Sequence, residues 1–367
     1  MNLIKYIIDS NQSQEKLAIK SGLPLKTIKA ILNGQEPSLA DLKKISKALR
    51  LSLDFFLKDE NGDSELKLLF RKSFSENNVK ADRFSYMVSN SFSILSGQHY
   101  NYSWINSYSE FVDNTYENAE KLAQKFRQDF FSGDFYSPLL NLPKIIDEKL
   151  GCILYISEFG SDIDGASAII SDVPYIFISP RFEPRMLYTL AHELGHILAH
   201  HKKDENFVKF DKHISVRDRT ADEAFCNAFA SSLLLPIEGL STTIKKLRDH
   251  YKNTGPIGDI EILYLSRIYG VSFEVAARRC EDLDLLPSGG ANSLYQELKR
   301  IYGSPEKRAS EAGLPPRFEI TFPKVSSKLI NAALEKINKG EISLGRVAEI
   351  LSVPIPVILS KNASRVR

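Results

Sequence analysis

Cysteine is scarce in this chain. Its 367 residues include three, Cys152, Cys226 and Cys280, with no CxxC pair among them. That spacing indicates neither a disulfide framework nor a thiolate zinc cluster, and the three read as small buried hydrophobes. Long apolar runs are missing too. No stretch approaches the ~18 residues that a membrane span needs, and the opening Met1-Asn2-Leu3-Ile4-Lys5-Tyr6-Ile7-Ile8 meets Asp9 too soon for a signal-peptide core. The expectation is a cytoplasmic protein with no membrane partner. No internal repeat or low-complexity tract stands out, and 43% hydrophobic with 26% charged residues is the composition of a folded chain. The length exceeds one ordinary core and implies two or three folded units.

Charge is present but uneven. Residues 1–58 hold ten cations against five anions, so a segment of +5 precedes a body of −3 in a chain whose formal charge is +2. Only the first unit is built to approach a polyanion. It reads as short helices with clear punctuation. Ser13 can cap a helix from Gln14 to Lys20 that Gly22 ends, and a second runs from Leu25 to Leu32 before Asn33-Gly34. Ser38 with Asp41 starts another, in which Leu42, Ile45 and Leu49 recur at helical spacing. A polar break from Lys58 to Ser64 marks a linker.

From Glu65 to about Phe131 the pattern is helical. Its aromatics, Tyr86, Tyr100, Tyr102, Trp104, Tyr108, Phe111 and Tyr116, read as core or docking surface in preference to a base-stacking stripe. A helix through Ile145, Ile146 and Leu150 then leads to three β-like runs, Cys152 to Ser157, Ala166 to Ser171 and Tyr175 to Ser179. These are expected to form a small sheet, antiparallel where connections are short, with Tyr175 to Ser179 as an exposed edge able to pair with an extended peptide. Helices follow from Arg185 to His201 and from about Arg219 to Leu235, closed by Pro236, and the remainder is helical. The fold class is α+β, mainly helical, in four parts: a helix-turn-helix unit at 1–58, a helical linker or docking region at 59–130, a small sheet with a motif-bearing helix at 131–250, and a helical region at 251–367.

The motif is His192-Glu193-Leu194-Gly195-His196. Histidines four apart on a helix project from one face and can grip one ion, and Glu193 lies beside that face as a base. A catalytic zinc takes three protein ligands and keeps a fourth position open. His200 continues the row, but at about 1.5 Å of rise per residue it stands roughly 12 Å along the helix from His192, too far to share an ion with it. The longer HExxHxxGxxH pattern is absent, since Ala199 and Lys202 replace its glycine and last histidine. His213 lies in the following loop with nothing to hold it. Glu223, early on the next helix with Asn227 one turn later, is the stronger candidate.

The run Arg185-Met186-Leu187-Tyr188-Thr189-Leu190-Ala191-His192-Glu193-Leu194-Gly195-His196, followed by Glu223-Ala224-Phe225-Cys226-Asn227-Ala228-Phe229-Ala230 and on to Pro236, resembles the ImmA/IrrE family of metallopeptidases. The likeness extends from about Ala119 to the C-terminus. It implies a zincin-like domain and a gluzincin-type site in which His192, His196 and Glu223 are the metal ligands and Glu193 the general base. The implied ion is Zn2+, with Mn2+ as another divalent candidate. Cys226 departs from the family, which usually has Ala there.

Gln14, Ala18, Gly22, Ile28 and Gly34 have helix-turn-helix spacing, and residues 3–57 resemble the Cro/C1-type, or XRE, repressor fold. The resemblance implies that Leu25 to Leu32 enters the major groove, with Gln14, Lys16 and Lys20 at phosphates and Leu25, Lys26, Lys29 and Ala30 on the DNA-facing side. Leu265 to Ser272 and Leu344 to Val353 each resemble half of such a motif, but neither has a basic second helix and both read as packing elements. The expected partners are DNA and a protein substrate, by family analogy a repressor or another regulatory protein; homodimer formation stays open. The rival reading is a DNA-binding regulator whose peptidase-like domain senses or docks without proteolysis.

Overall fold

A computed structural model describes residues 3–9, 13–49, 53, 56, 78–97, 102–111, 113–157, 159, 163–201, 206–211, 220–252, 254–351 and 353–363. The polar break at Lys58 to Ser64, the start of the helical stretch at Glu65, Tyr100 and His213 lie outside the described residues.

The basic unit contains α1 (Leu3–Asp9), α2 (Gln14–Ser21), α3 (Leu25–Leu32) and α4 (Leu39–Leu49). Ser13 Oγ accepts the Lys16 N–H, and Gly22 closes α2 in the left-handed region at φ 67°, a conformation that glycine adopts without a Cβ penalty. Ser38 Oγ accepts the Asp41 N–H at 3.1 Å. Leu17, Ile28, Ile45 and Leu49 are buried in a core of their own.

Helix α5 (Asn78–Leu95) joins this unit to the rest. Its Tyr86 packs on the small core, whereas Phe84 and Val88 belong to the large one. Arg83, 3% exposed, donates through Nη2 to Leu49 O at 3.2 Å and to Ser157 Oγ at 2.5 Å. One guanidinium thus ties the carbonyl end of α4 to the loop after the first strand. The aromatics that follow are largely internal. On a 3₁₀ segment, Ser103–Phe111, Trp104 Nε1 donates to Leu150 O at 3.1 Å and buried Tyr108 donates to Asp129 at 2.9 Å. Helix α6 (Tyr116–Phe131) comes next.

A helical turn at Leu142–Lys144 runs into a π-turn at Ile145–Lys149, then β1 (Ile153–Ile156), β2 (Gly165–Ile170) and β3 (Val173–Ile178). The sheet has a fourth strand, β4 (Phe207–Asp211), that the sequence pattern had not marked, and its order is β1-β3-β2-β4. β3 pairs parallel with β1 and antiparallel with β2. The expectation of an exposed edge at Tyr175 to Ser179 is therefore overturned, because β3 is bonded on both sides. A two-residue turn, Ser171-Asp172 with φ 48° and 63°, folds β3 back between β1 and β2, and the positive φ at both positions matches the right-handed twist of a hairpin. β2 and β3 are buried at every position. Covered on both faces, they lack polar alternation.

Helix α7 (Glu183–Ala199) follows β3, and α8 (Ala221–Leu234) follows β4. Beyond them lie α9 (Ile237–Tyr251), α10 (Asp259–Ile268), α11 (Phe273–Asp282), α12 (Gly290–Tyr302), α13 (Pro305–Glu311), α14 (Ser327–Asn338), α15 (Leu344–Ile350) and α16 (Ile355–Ala363). The two later helix-turn-helix-like segments are packing elements, with Leu265 and Val347 fully buried in the large core. Two buried arginines fix the end of α8: Arg127 donates to Leu233 O at 2.9 Å and 2.7 Å, and Arg279 to Leu235 O at 3.1 Å. No single helix among the described residues is long and apolar enough to cross a membrane.

Replacing Arg83 by Ala strands buried acceptors on both sides of the junction. The expected cost is about 2–3 kcal/mol, with faster amide exchange in α4 than in α7; unchanged protection of α4 would show that Arg83 does not hold the basic unit in place.

Candidate metal centre

Helix α7 lies between the sheet and α8, and every residue from Met186 to Ala199 is buried. The contact with α8 depends on Gly195. A Cβ there would come within 3.0 Å of Phe229 Cδ1 and 3.2 Å of Cys226 Sγ, so only glycine lets the helices approach this closely. Thr220 caps α8 by accepting the Glu223 N–H at 3.4 Å, which puts Glu223 in the first turn facing α7.

His192, His196 and Glu223 are brought together. His192 Nε2 stands 3.2 Å from His196 Nε2 and 3.2 Å from Glu223 Oε2, and His196 Nε2 stands 3.6 Å from Glu223 Oε1. A four-coordinate zinc with bonds of about 2.0–2.1 Å places its ligand atoms about 3.3 Å apart. The spacing fits such an ion, and all three residues are buried.

The hydrogen bonds around the histidines fix which nitrogen carries the proton. Tyr188 donates to Asn227 Oδ1 at 3.0 Å, and the same oxygen lies 3.1 Å from His192 Nδ1. An amide oxygen only accepts, so His192 carries its proton on Nδ1 and turns the Nε2 lone pair to the centre. On the other ring a longer chain does the same. Asn114 Nδ2 donates to Asp222 Oδ1 at 2.6 Å, which turns Asn114 Oδ1 to His200 Nε2 at 2.9 Å. His200 Nε2 is then the donor and His200 Nδ1 the acceptor, so His196 Nδ1, 3.0 Å away, holds the proton. His196 Nε2 therefore turns its lone pair to the centre. Burial, reinforced by His196, lowers the His200 pKa to about 4, in keeping with a neutral ring.

Burial alone would raise the pKa of Glu223, but its contacts with His192, His196 and Lys209 outweigh that and hold it well below the usual carboxylate range. Lys209 reaches in from β4, its Nζ 2.7 Å from Glu223 Oε1. Glu193 is fully buried and packs against the first residue of β2. A Cβ on Gly165 would collide with Glu193 Oε1 and would lie 2.6 Å from Thr189 Cγ2. The missing side chain is what makes room for the carboxylate.

His200 meets His196 and not His192, as its distance along the helix required. Sequence reasoning placed Asn227 on the right face without assigning it a role, although its i+4 spacing from Glu223 was a usable signal. Gly165, Lys209 and Asn114 carried no such signal, because each reaches the centre from a distant segment. In the basic unit, Lys16, Lys20, Lys26 and Lys29 are exposed, and Gln14, Leu25 and Ala30 half-buried. Leu25 packs in part on the small core, so only part of it is available to a partner.

Residues 148–281 match the family model of the IrrE N-terminal-like domain, peptidase M78. Residues 6–56 match that of a helix-turn-helix domain. No curated protein matches the chain. The chain thus carries a peptidase M78-like domain behind a helix-turn-helix domain.

Asn227→Ala removes the acceptor that orients His192. Affinity for zinc should fall about 10–100-fold, measured by competition with a chromophoric chelator; unchanged affinity would mean that the ring is held by packing alone.

Proposed function

We propose that this chain is a gluzincin-type zinc metallopeptidase in which His192, His196 and Glu223 hold the ion and Glu193 is the general base, and that its helix-turn-helix unit binds DNA. The observation that carries the reading is Glu193: a buried carboxylate, seated against Gly165, beside three donors at zinc spacing. A site kept only to hold metal has no need of this residue. When bound, the ion supplies a Lewis acid that polarises the scissile carbonyl and makes water acidic enough to deprotonate near neutrality.

The chain's own residues supply the rest. Asn227 and His200 hold the two imidazoles in one tautomer, so the ligand atoms need no reorientation. Glu193 takes the proton of the attacking water and delivers it to the leaving amine. Lys209, its Nζ 2.7 Å from Glu223 Oε1, favours the ionised carboxylate. The substrate we favour is a repressor or another regulatory protein, because the peptidase shares a chain with a DNA-binding unit. That unit presents Lys16, Lys20, Lys26 and Lys29 to solvent, a set suited to phosphates, with α3 as the groove-entering helix.

With the source cell's proteins as substrate, the intact enzyme should cleave a regulatory protein. Glu193→Gln should abolish the cut yet keep its full zinc content, whereas His192→Ala and Glu223→Ala should each lose one equivalent of zinc. Gly165→Ala should keep the zinc and slow the cut about 100-fold, as displacement of a catalytic group by ~1 Å does. Zinc content undiminished in both ligand variants would refute the ligand set, and full activity in Glu193→Gln would refute the base.

DNA affinity should fall steeply with salt, and Lys26→Ala should flatten that slope by about one unit. A salt-independent interaction would remove the case for phosphate contacts.

A further inference from the structure

His196 offers one nitrogen to the centre described above and the other to a different set of donors. His200 Nδ1 lies 3.0 Å from His196 Nδ1 and 3.6 Å from Cys226 Sγ, and the three ligand atoms all lie within 4.8 Å of one another. A tetrahedral zinc with Zn–N of about 2.0–2.1 Å and Zn–S of about 2.3 Å separates two nitrogens by about 3.3 Å and a nitrogen from a sulfur by about 3.6 Å. The His200–Cys226 edge matches, the His196–His200 edge must open by a few tenths of an ångström, and Cys226 Sγ must settle at about 3.6 Å from His196, from a starting distance within 4.8 Å. His196 stands on α7, His200 caps the end of that helix and Cys226 stands on α8, the same close-packed pair that builds the first position.

We propose that His196 Nδ1, His200 Nδ1 and Cys226 Sγ form a second metal position for a thiophilic divalent ion, a second zinc or cadmium, next to the first. A mixed imidazole and thiolate set favours such ions over magnesium or calcium. The ion takes the place of the proton shared between His196 and His200. That proton and the Cys226 thiol proton pass to solvent, and His196 bridges the two ions as an imidazolate. Thiolate and imidazolate together balance the charge of a divalent ion, so its burial leaves no net charge behind. Cys226 is fully buried and His200 is half-buried, which makes the His200 side the route of entry. The proposal shares His196 and its orienting neighbour His200 with the catalytic reading and does not require proteolysis.

Cobalt(II) titration of the metal-free, full-length protein tests it, with absorption spectra and metal content read at each step. The first equivalent should give visible ligand-field bands without a thiolate-to-cobalt charge-transfer band. The second should add that near-ultraviolet band. Cys226→Ala should keep the first equivalent and lose both the second and the band. His200→Gln, nearer the surface, should also lose them and carries the test if Cys226→Ala does not fold. His192→Ala should lose the first equivalent and leave the charge-transfer band in place. Saturation at one equivalent without the band would overturn the proposal and leave the catalytic position standing, and a band that survives Cys226→Ala would overturn it as well.

Discussion

Glu223 reaches the two histidines because α7 and α8 touch with no side chain between them at Gly195. A methyl group there would press on Phe229 and Cys226 and push α8 outward. The ligand atoms stand 3.2–3.6 Å apart, so a shift of even one ångström would separate the carboxylate from the imidazoles. Everything else at the centre is arranged around this contact. Thr220 starts α8 at the turn that presents Glu223. Arg127 and Arg279 hold its far end by accepting no compromise in position: both are 1% exposed and bound to its terminal carbonyls. Charged groups buried this deeply are costly unless fully hydrogen-bonded, and the free carbonyls of a helix end are suitable partners.

The same economy of space governs Glu193. It follows His192 in sequence and therefore points away from it by about 100° around the helix, toward the sheet. A carboxylate entering a packed sheet face needs a gap, and Gly165 provides it at the start of β2. The residue before it, Asp164, is bound by Arg181, just ahead of α7, and by Arg185 in its first turn, so strand and helix are locked at the place where Glu193 sits. Further along the same loop, Ser157 and Phe159 meet Arg83, which also holds the last carbonyl of α4. The helix-turn-helix unit and the four-stranded sheet are therefore joined through a buried polar contact as well as through covalent connection.

Much of this was legible in the sequence where the determinants are local. Ser13, Gly22 and Ser38 punctuate the first helices, since caps and left-handed turns are set by residues a few positions apart. The HExxH spacing and the i+4 step from Glu223 to Asn227 are helix periodicities, so both faces could be drawn before any packing was known. Strand order was not legible in this way. The hairpin turn at Ser171-Asp172 gives the pairing of β2 with β3, but whether β3 then lies at an edge depends on β1 coming alongside it from across the loop. β4 was missed because Phe207-Val208-Lys209-Phe210-Asp211 includes two charged residues and follows the polar run Lys202 to Asn206, a composition shared with loops.

By itself the sequence determined which side chains could bind a metal and act as a base, and that a basic helical unit precedes them, because residue type and helical period decide both. Only the tertiary structure decided which nitrogen of each histidine faces the centre, which residues set it, and that His196 stands between two donor sets. Those outcomes depend on Asn114, Gly165, Lys209 and Cys226 arriving from separate segments, and hydrogen bonds and close contacts across such distances leave no periodic trace along the chain.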